Sequence, residues 1–120
     1  MIKLEKYEWL INTFRYYRYG LTFEQFQSEW RDGNPYLDET LELNRRSFIR
    51  WKNEVKEKFG IVIGCDVKNG YKYKIYSVIP DWKVTEPRAF GEKIRATAMR
   101  VVERYGGENK EYLDDIDEEY

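Results

Sequence analysis

Arg46, Arg50 and Asn53 are of the types that reach guanine and adenine edges in a DNA major groove. They follow one another at spacings of four and three. On a helix that spacing stacks them, with Glu57, in a single stripe. Arg45, Ser47, Lys52 and Lys56 flank the stripe, where side chains suit contact with phosphates. A second basic group follows at once, Lys68, Asn69, Lys72 and Lys74 of the run KNGYKYK. No residue set points to catalysis. The chain has no histidine, which removes His-based acid–base chemistry, the usual triads and most zinc sites. Cys65 is the only cysteine; it excludes an internal disulfide and a thiolate metal site, and is expected as a small core residue. The expectation is a protein that is not an enzyme and carries no metal or cofactor.

The charge is uneven. The whole chain sums to −1, which by itself says nothing for nucleic acid. Residues 44–74, however, hold nine lysines and arginines against three acids, a surplus of six positive charges. Residues 107–120 hold seven acids and one lysine, an excess of six negative charges. It is the local field that steers a phosphate backbone. At 120 residues one domain is expected, with an appended segment. Aromatics at 18% supply large buried surfaces to a short chain. Met1 to Leu10 alternates charged and apolar residues, so no secretory signal is expected at this end. No apolar run approaches membrane-spanning length. A cytoplasmic location, away from membranes, is the expectation.

The elements that must hold these side chains can be read from periodicity. Leu4, Tyr7, Leu10, Ile11, Phe14 and Tyr17 recur at helical spacing, predicting a first helix over 3–18 that stops near Gly20. Thr22 followed by Gln25 is a capping-box pattern that opens a second helix. Phe23, Phe26 and Trp30 form its inner side, and Asp32-Gly33-Asn34-Pro35 ends it. Residues 36–43 are acidic and read equally as a helical turn or a loop. Asn44 is the expected N-cap of a third helix running to Phe59, with Gly60 as its stop. Phe48, Trp51, Val55 and Phe59 are its inner stripe, which leaves Arg46 and Arg50 facing solvent.

Residues 61–78 read as a hairpin. Ile61, Ile63, Cys65 and Val67 alternate on one face; Tyr71, Tyr73 and Ile75 do so on the return. Asn69-Gly70 suggests a two-residue turn, but that register would set lysines on the apolar face. A three-residue loop, Lys68-Asn69-Gly70, pairs Val67 with Tyr71 and Cys65 with Tyr73 instead. It needs Gly70 left-handed and turns Lys72 and Lys74 outward. Tyr71 and Tyr73 are then hairpin core. A two-proline connector, 79–90, leads to a fourth helix over 91–106, where Ile94, Ala98, Val101, Val102 and Tyr105 share a face. This face either packs on the domain or pairs with a second copy in a homodimer. The acidic tail, 107–120, is expected to be disordered, either as a solubilising end or as a competitor for the basic face.

A basic helix followed directly by a basic hairpin is the layout of a winged helix-turn-helix. The expected fold class is mainly α with a β-hairpin (α+β). It comprises three helices plus a wing over 1–78, followed by the C-terminal helix. From Tyr7 to Tyr76 the chain resembles the N-terminal winged-helix domain of the WYL-domain transcriptional regulators of bacteria. The resemblance is carried by Trp9-Leu10-Ile11, Thr22-Phe23-Glu24, Arg46-Ser47-Phe48, Phe59-Gly60, Cys65-Asp66 and Gly70-Tyr71-Lys72-Tyr73. It implies sequence-specific binding of double-stranded DNA and regulation of transcription. Ile49 and Trp51 depart from the family pattern, which tends to polar residues there. Trp51 is accounted for as core, and Ile49, beside the exposed stripe, is positioned for thymine methyls or a neighbouring protein surface. The family's ligand-sensing domain is not legible in the sequence, so no ligand response carries over. The competing function is a protein-interaction adaptor that uses exposed aromatics and the fourth helix.

Overall fold

Among the described residues, four helices and one hairpin share a single apolar core. The computed structural model describes residues 3–33, 43–84 and 86–105. In chain order these form α1 (Lys3–Tyr16), α2 (Phe23–Gly33), α3 (Arg45–Phe59), β1 (Ile61–Asp66), β2 (Lys72–Val78) and α4 (Arg88–Tyr105). The layout is mainly helical with a two-stranded antiparallel sheet, an α+β arrangement. No helix of the described residues is long and apolar enough to cross a membrane.

Local chemistry sets the helix ends. α1 stops at Tyr16, two residues earlier than its periodicity predicts, and the chain turns through 17–19 to Gly20 at φ 107°. The capping box forms in full: Gln25 N–H donates to Thr22 Oγ1 at 3.1 Å, and Thr22 N–H donates to Gln25 Oε1 at 3.0 Å. At α3 the Asn44 side chain accepts from Ser47 N–H at 2.7 Å. Gly60 ends that helix in the left-handed region at φ 68°. α4 begins at Arg88, three residues before its predicted start. Pro87 immediately precedes it and its carbonyl accepts from Gly91 N–H at 3.0 Å, while Arg88 pairs with Glu92 at 2.9 Å. Proline at a helix start costs no hydrogen bond, because the first N–H groups have no intrahelical partner.

The hairpin register is the predicted one at its centre, with Cys65 opposite Tyr73 and Gly64 opposite Lys74. Pairing closes at Asp66 and Lys72 rather than at Val67 and Tyr71. Residues 67–69 form a 3-10 turn whose last N–H, on Asn69, donates to Asp66 Oδ1 at 3.1 Å. Gly70 is left-handed at φ 77°, as expected, but Tyr71 is left-handed as well, at φ 59°. That second reversal turns Tyr71 outward, so its predicted place in the core is corrected: it is exposed, whereas Tyr73 is buried. A bulge sets Val62 opposite Ser77 and Ile63 opposite Ile75, leaving Tyr76 unpaired. The extra residue lets both Ile75 and Tyr76 be buried. A third segment joins the sheet edge. Leu21, between α1 and α2, exchanges two backbone hydrogen bonds with Tyr73, at 2.9 and 2.6 Å.

The core is built around Phe48. Its ring meets those of Phe26 (4.8 Å), Phe23 (5.7 Å), Phe14 (6.4 Å) and Tyr73 (4.8 Å), one side chain touching α2, α1 and the hairpin. Burying such a ring contributes several kcal/mol. Ile94, Ala98 and Val101 of α4 lie in the same cluster, and α4 packs on β2 and α1. Three residues of the apolar stripe that was one route to a homodimer, Ile94, Ala98 and Val101, are therefore covered from within the chain. Arg95 fastens α4 further, donating to the Phe59 carbonyl at 2.7 Å and the Ile79 carbonyl at 2.9 Å. The acidic segment 34–42, Gly106 and the tail 107–120 lie outside the described residues; Leu43, next to the first of these, is buried.

Candidate nucleic-acid interface

α3 buries Phe48, Ile49, Trp51, Lys52, Val55 and Phe59. With that side fixed, helical geometry directs the opposite stripe to solvent. Arg46 and Arg50 are exposed there, with Glu57, and Asn53 is half-buried beside them. Neither arginine forms an ion pair or a side-chain hydrogen bond among the described residues. Their guanidinium groups keep all donors available to a ligand.

Behind Arg50 lies a polar cluster joining α1 to α3. Lys6 pairs with Glu54 at 3.4 Å, and its ammonium stands 5.1 Å from the Trp51 ring and 5.3 Å from that of Tyr7. The Tyr7 hydroxyl lies beside Glu54 but outside hydrogen-bonding geometry. Burial, followed by the Glu54 charge, pushes the Tyr7 phenol well above its ordinary value, while the Arg50 charge opposes this. Arg50 is thus near enough to act on the cluster yet remains exposed.

Three of the residues beside the stripe are placed differently from expectation. Lys52 is 1% exposed, so its assignment to phosphate contact is corrected. Phe48, Lys52, Val55 and Phe59 follow one another at four, three and four, which is the inner stripe itself, and the lysine's aliphatic stem is buried with it. Its ammonium reaches Asn53 Oδ1 at 3.5 Å. Ile49 is buried too, and its expected contact with thymine methyls or another protein is likewise corrected. Arg45 is half-buried and turns toward α2. It pairs with Glu24 at 3.2 Å and stands 4.7 Å over the Phe23 ring. Ser47 and Lys56 are half-buried.

At the hairpin, Lys68 and Asn69 are exposed at the tip and Lys72 and Lys74 are half-buried along β2. The stem of Lys72 runs against Gly20, where a Cβ would approach within 2.9 Å of the lysine Cβ. Lys74 Nζ stands 5.1 Å over the Tyr76 ring. Phe48, in the first turn of α3, meets Tyr73, two residues beyond the turn 67–71, at 4.8 Å between ring centroids. Tyr71, 62% exposed, stands between Gly70 and Lys72 in this group. Alternation alone assigns it to the core; the tip conformation, which alternation does not encode, decides otherwise.

A separate feature lies between α1 and α2. An open cleft of about 520 Å³ is lined by Glu8, Trp9, Asn12, Thr13, Tyr16, Tyr17, Glu29 and Gly33. A hydrogen bond to Glu29 raises the Tyr17 phenol above its ordinary value.

Comparison with models of known protein families, with curated proteins and with solved structures finds no match to this chain.

Proposed function

We propose that this chain is a sequence-specific, double-stranded-DNA-binding regulator of transcription, built as a winged helix-turn-helix. In this reading α3 enters the major groove and the hairpin is a wing on the adjacent sugar–phosphate backbone. The observation that carries it is the exposed pair Arg46 and Arg50, unpaired among the described residues, on a helix whose other side is locked in an aromatic core. The element order supports it: two helices with a sheet-edge residue between them, then a third helix running straight into a hairpin. The lysines of the hairpin support it further, as does the resemblance of the sequence motifs to those of the WYL-domain regulators. Arg46 and Arg50 read base edges, Asn53 lies beside them, and Lys68, Lys72 and Lys74 neutralise phosphates.

Fluorescence-anisotropy titration of labelled duplexes at several salt concentrations tests this. Arg46→Ala with Arg50→Ala should erase the preference between sequences. Lys72→Ala with Lys74→Ala should weaken every sequence and lower the salt slope by about two. If both double variants bind as the unaltered protein does, the proposal is wrong.

The cleft between α1 and α2 favours a second reading, a protein-interaction adaptor. Its aromatic and acidic lining, Trp9, Tyr16, Tyr17, Glu8 and Glu29, offers a partner a surface that DNA cannot use. A stoichiometric protein partner, together with no duplex binding at low salt, would select it.

A further inference from the structure

Resting on the DNA-binding reading, we infer that Tyr71 is the contact residue of the hairpin tip and packs on the sugar–phosphate edge of the bound duplex. Among the described residues only Tyr71 and Asp81 depart from negative φ without being glycine. Asp tolerates the left-handed region because its short polar side chain bonds locally; a tyrosine there is strained. Such strain is ordinarily offset by packing. Here it is not, because the residue is 62% exposed. Glycine would make the same turn at lower cost, so the fold itself does not ask for tyrosine at this position. Strain held at an exposed side chain points to a use outside the fold.

The surroundings say what that use is. Tyr71 is flanked by the exposed Lys68 and Asn69 and by Lys72, so its ring is carried into the field of a basic turn. The turn is fixed from both sides, by the Asp66 side chain on Asn69 N–H and by the Leu21–Tyr73 pairing just beyond it. A rigid phenol among cations matches a deoxyribose face with a phosphate beside it: the ring covers the sugar and the hydroxyl donates to a phosphate oxygen. An acidic protein surface would suit the lysines but gives no reason for a ring held in a strained backbone.

Tyr71→Gly separates the contact from the fold, because it removes the ring and relieves the strain together. The thermal midpoint of this variant should equal or exceed that of the unaltered protein. Its affinity for duplex DNA should fall about ten-fold for all sequences alike. The salt slope should stay the same, since no charge is lost, in contrast to the lysine variants. Tyr71→Phe should fall between the two. Duplex binding by Tyr71→Gly equal to that of the unaltered protein, while Arg46→Ala with Arg50→Ala abolishes preference, overturns this inference and leaves the DNA reading standing. Absence of duplex binding by the unaltered protein at low salt overturns both.

Discussion

The Arg95 guanidinium donates to the carbonyl of Phe59, the last residue of α3, at 2.7 Å, and with its other nitrogen to the Ile79 carbonyl at 2.9 Å. One side chain of α4 thus ties the end of the candidate recognition helix to the end of the hairpin. Arg95→Met keeps the aliphatic stem and removes both bonds to acceptors that are partly buried. Urea unfolding should show a loss of about 2 kcal/mol. Arg95→Lys should recover little of it, because a single ammonium does not present the two-pronged geometry of the guanidinium.

Gly60 carries two constraints and Gly70 only one. Both are left-handed, at φ 68° and 77°. A Cβ at Gly60 would also meet the Trp82 ring at 2.7 Å and Arg95 at 2.9 Å, whereas nothing lies within 4 Å at Gly70. Gly70→Ala should cost about 1 kcal/mol for the backbone alone. Gly60→Ala should cost about 1–3 kcal/mol more for overpacking. Thermal unfolding of the two variants side by side checks the order.

Tyr7 gives the fold an alkaline limit. Its folded pKa lies above the ordinary value of 10.0, chiefly through burial and then the Glu54 charge. Below pH 10 the phenol is protonated both folded and unfolded, and its contribution is fully present. Above pH 10 the unfolded chain gives up the proton that the folded chain keeps, so stability falls as pH rises. Tyr7→Phe should flatten this fall in urea midpoints taken between pH 9 and 11. An unchanged slope would show that Tyr7 does not carry it.

Lys52 should be silent toward phosphate. Lys52→Met replaces a stem that is already buried and removes no surface cation. On the DNA-binding reading the salt slope of duplex binding should be unaltered, while each of Lys68→Ala, Lys72→Ala and Lys74→Ala should lower it by about one.

Features written in short-range chemistry were legible in the sequence. Thr22 with Gln25 announces the start of α2, Asn44 and Gly60 bracket α3, and the demand for one apolar face selects the register that sets Cys65 opposite Tyr73. Misplaced residues are those where a second influence competes with the first. Lys52 falls on the inner stripe by spacing, but its charge argues for the surface; the four-carbon stem settles the contest in favour of burial. Tyr71 alternates with Tyr73, but the consecutive left-handed residues at the tip break the alternation before it begins. Arg88 starts α4 ahead of the apolar stripe, where Pro87 was the available signal. The turn of Arg45 toward Glu24 and Phe23 depends on how α2 and α3 meet in space, which no local pattern records.

Selection of bound duplexes from a random pool is the most direct test of the proposed role for Arg46 and Arg50. The unaltered protein should enrich one short sequence motif, and the variant carrying Arg46→Ala and Arg50→Ala should enrich none while keeping weak, salt-sensitive binding. Failure of the unaltered protein to enrich any motif, or enrichment of the same motif by both proteins, would contradict it.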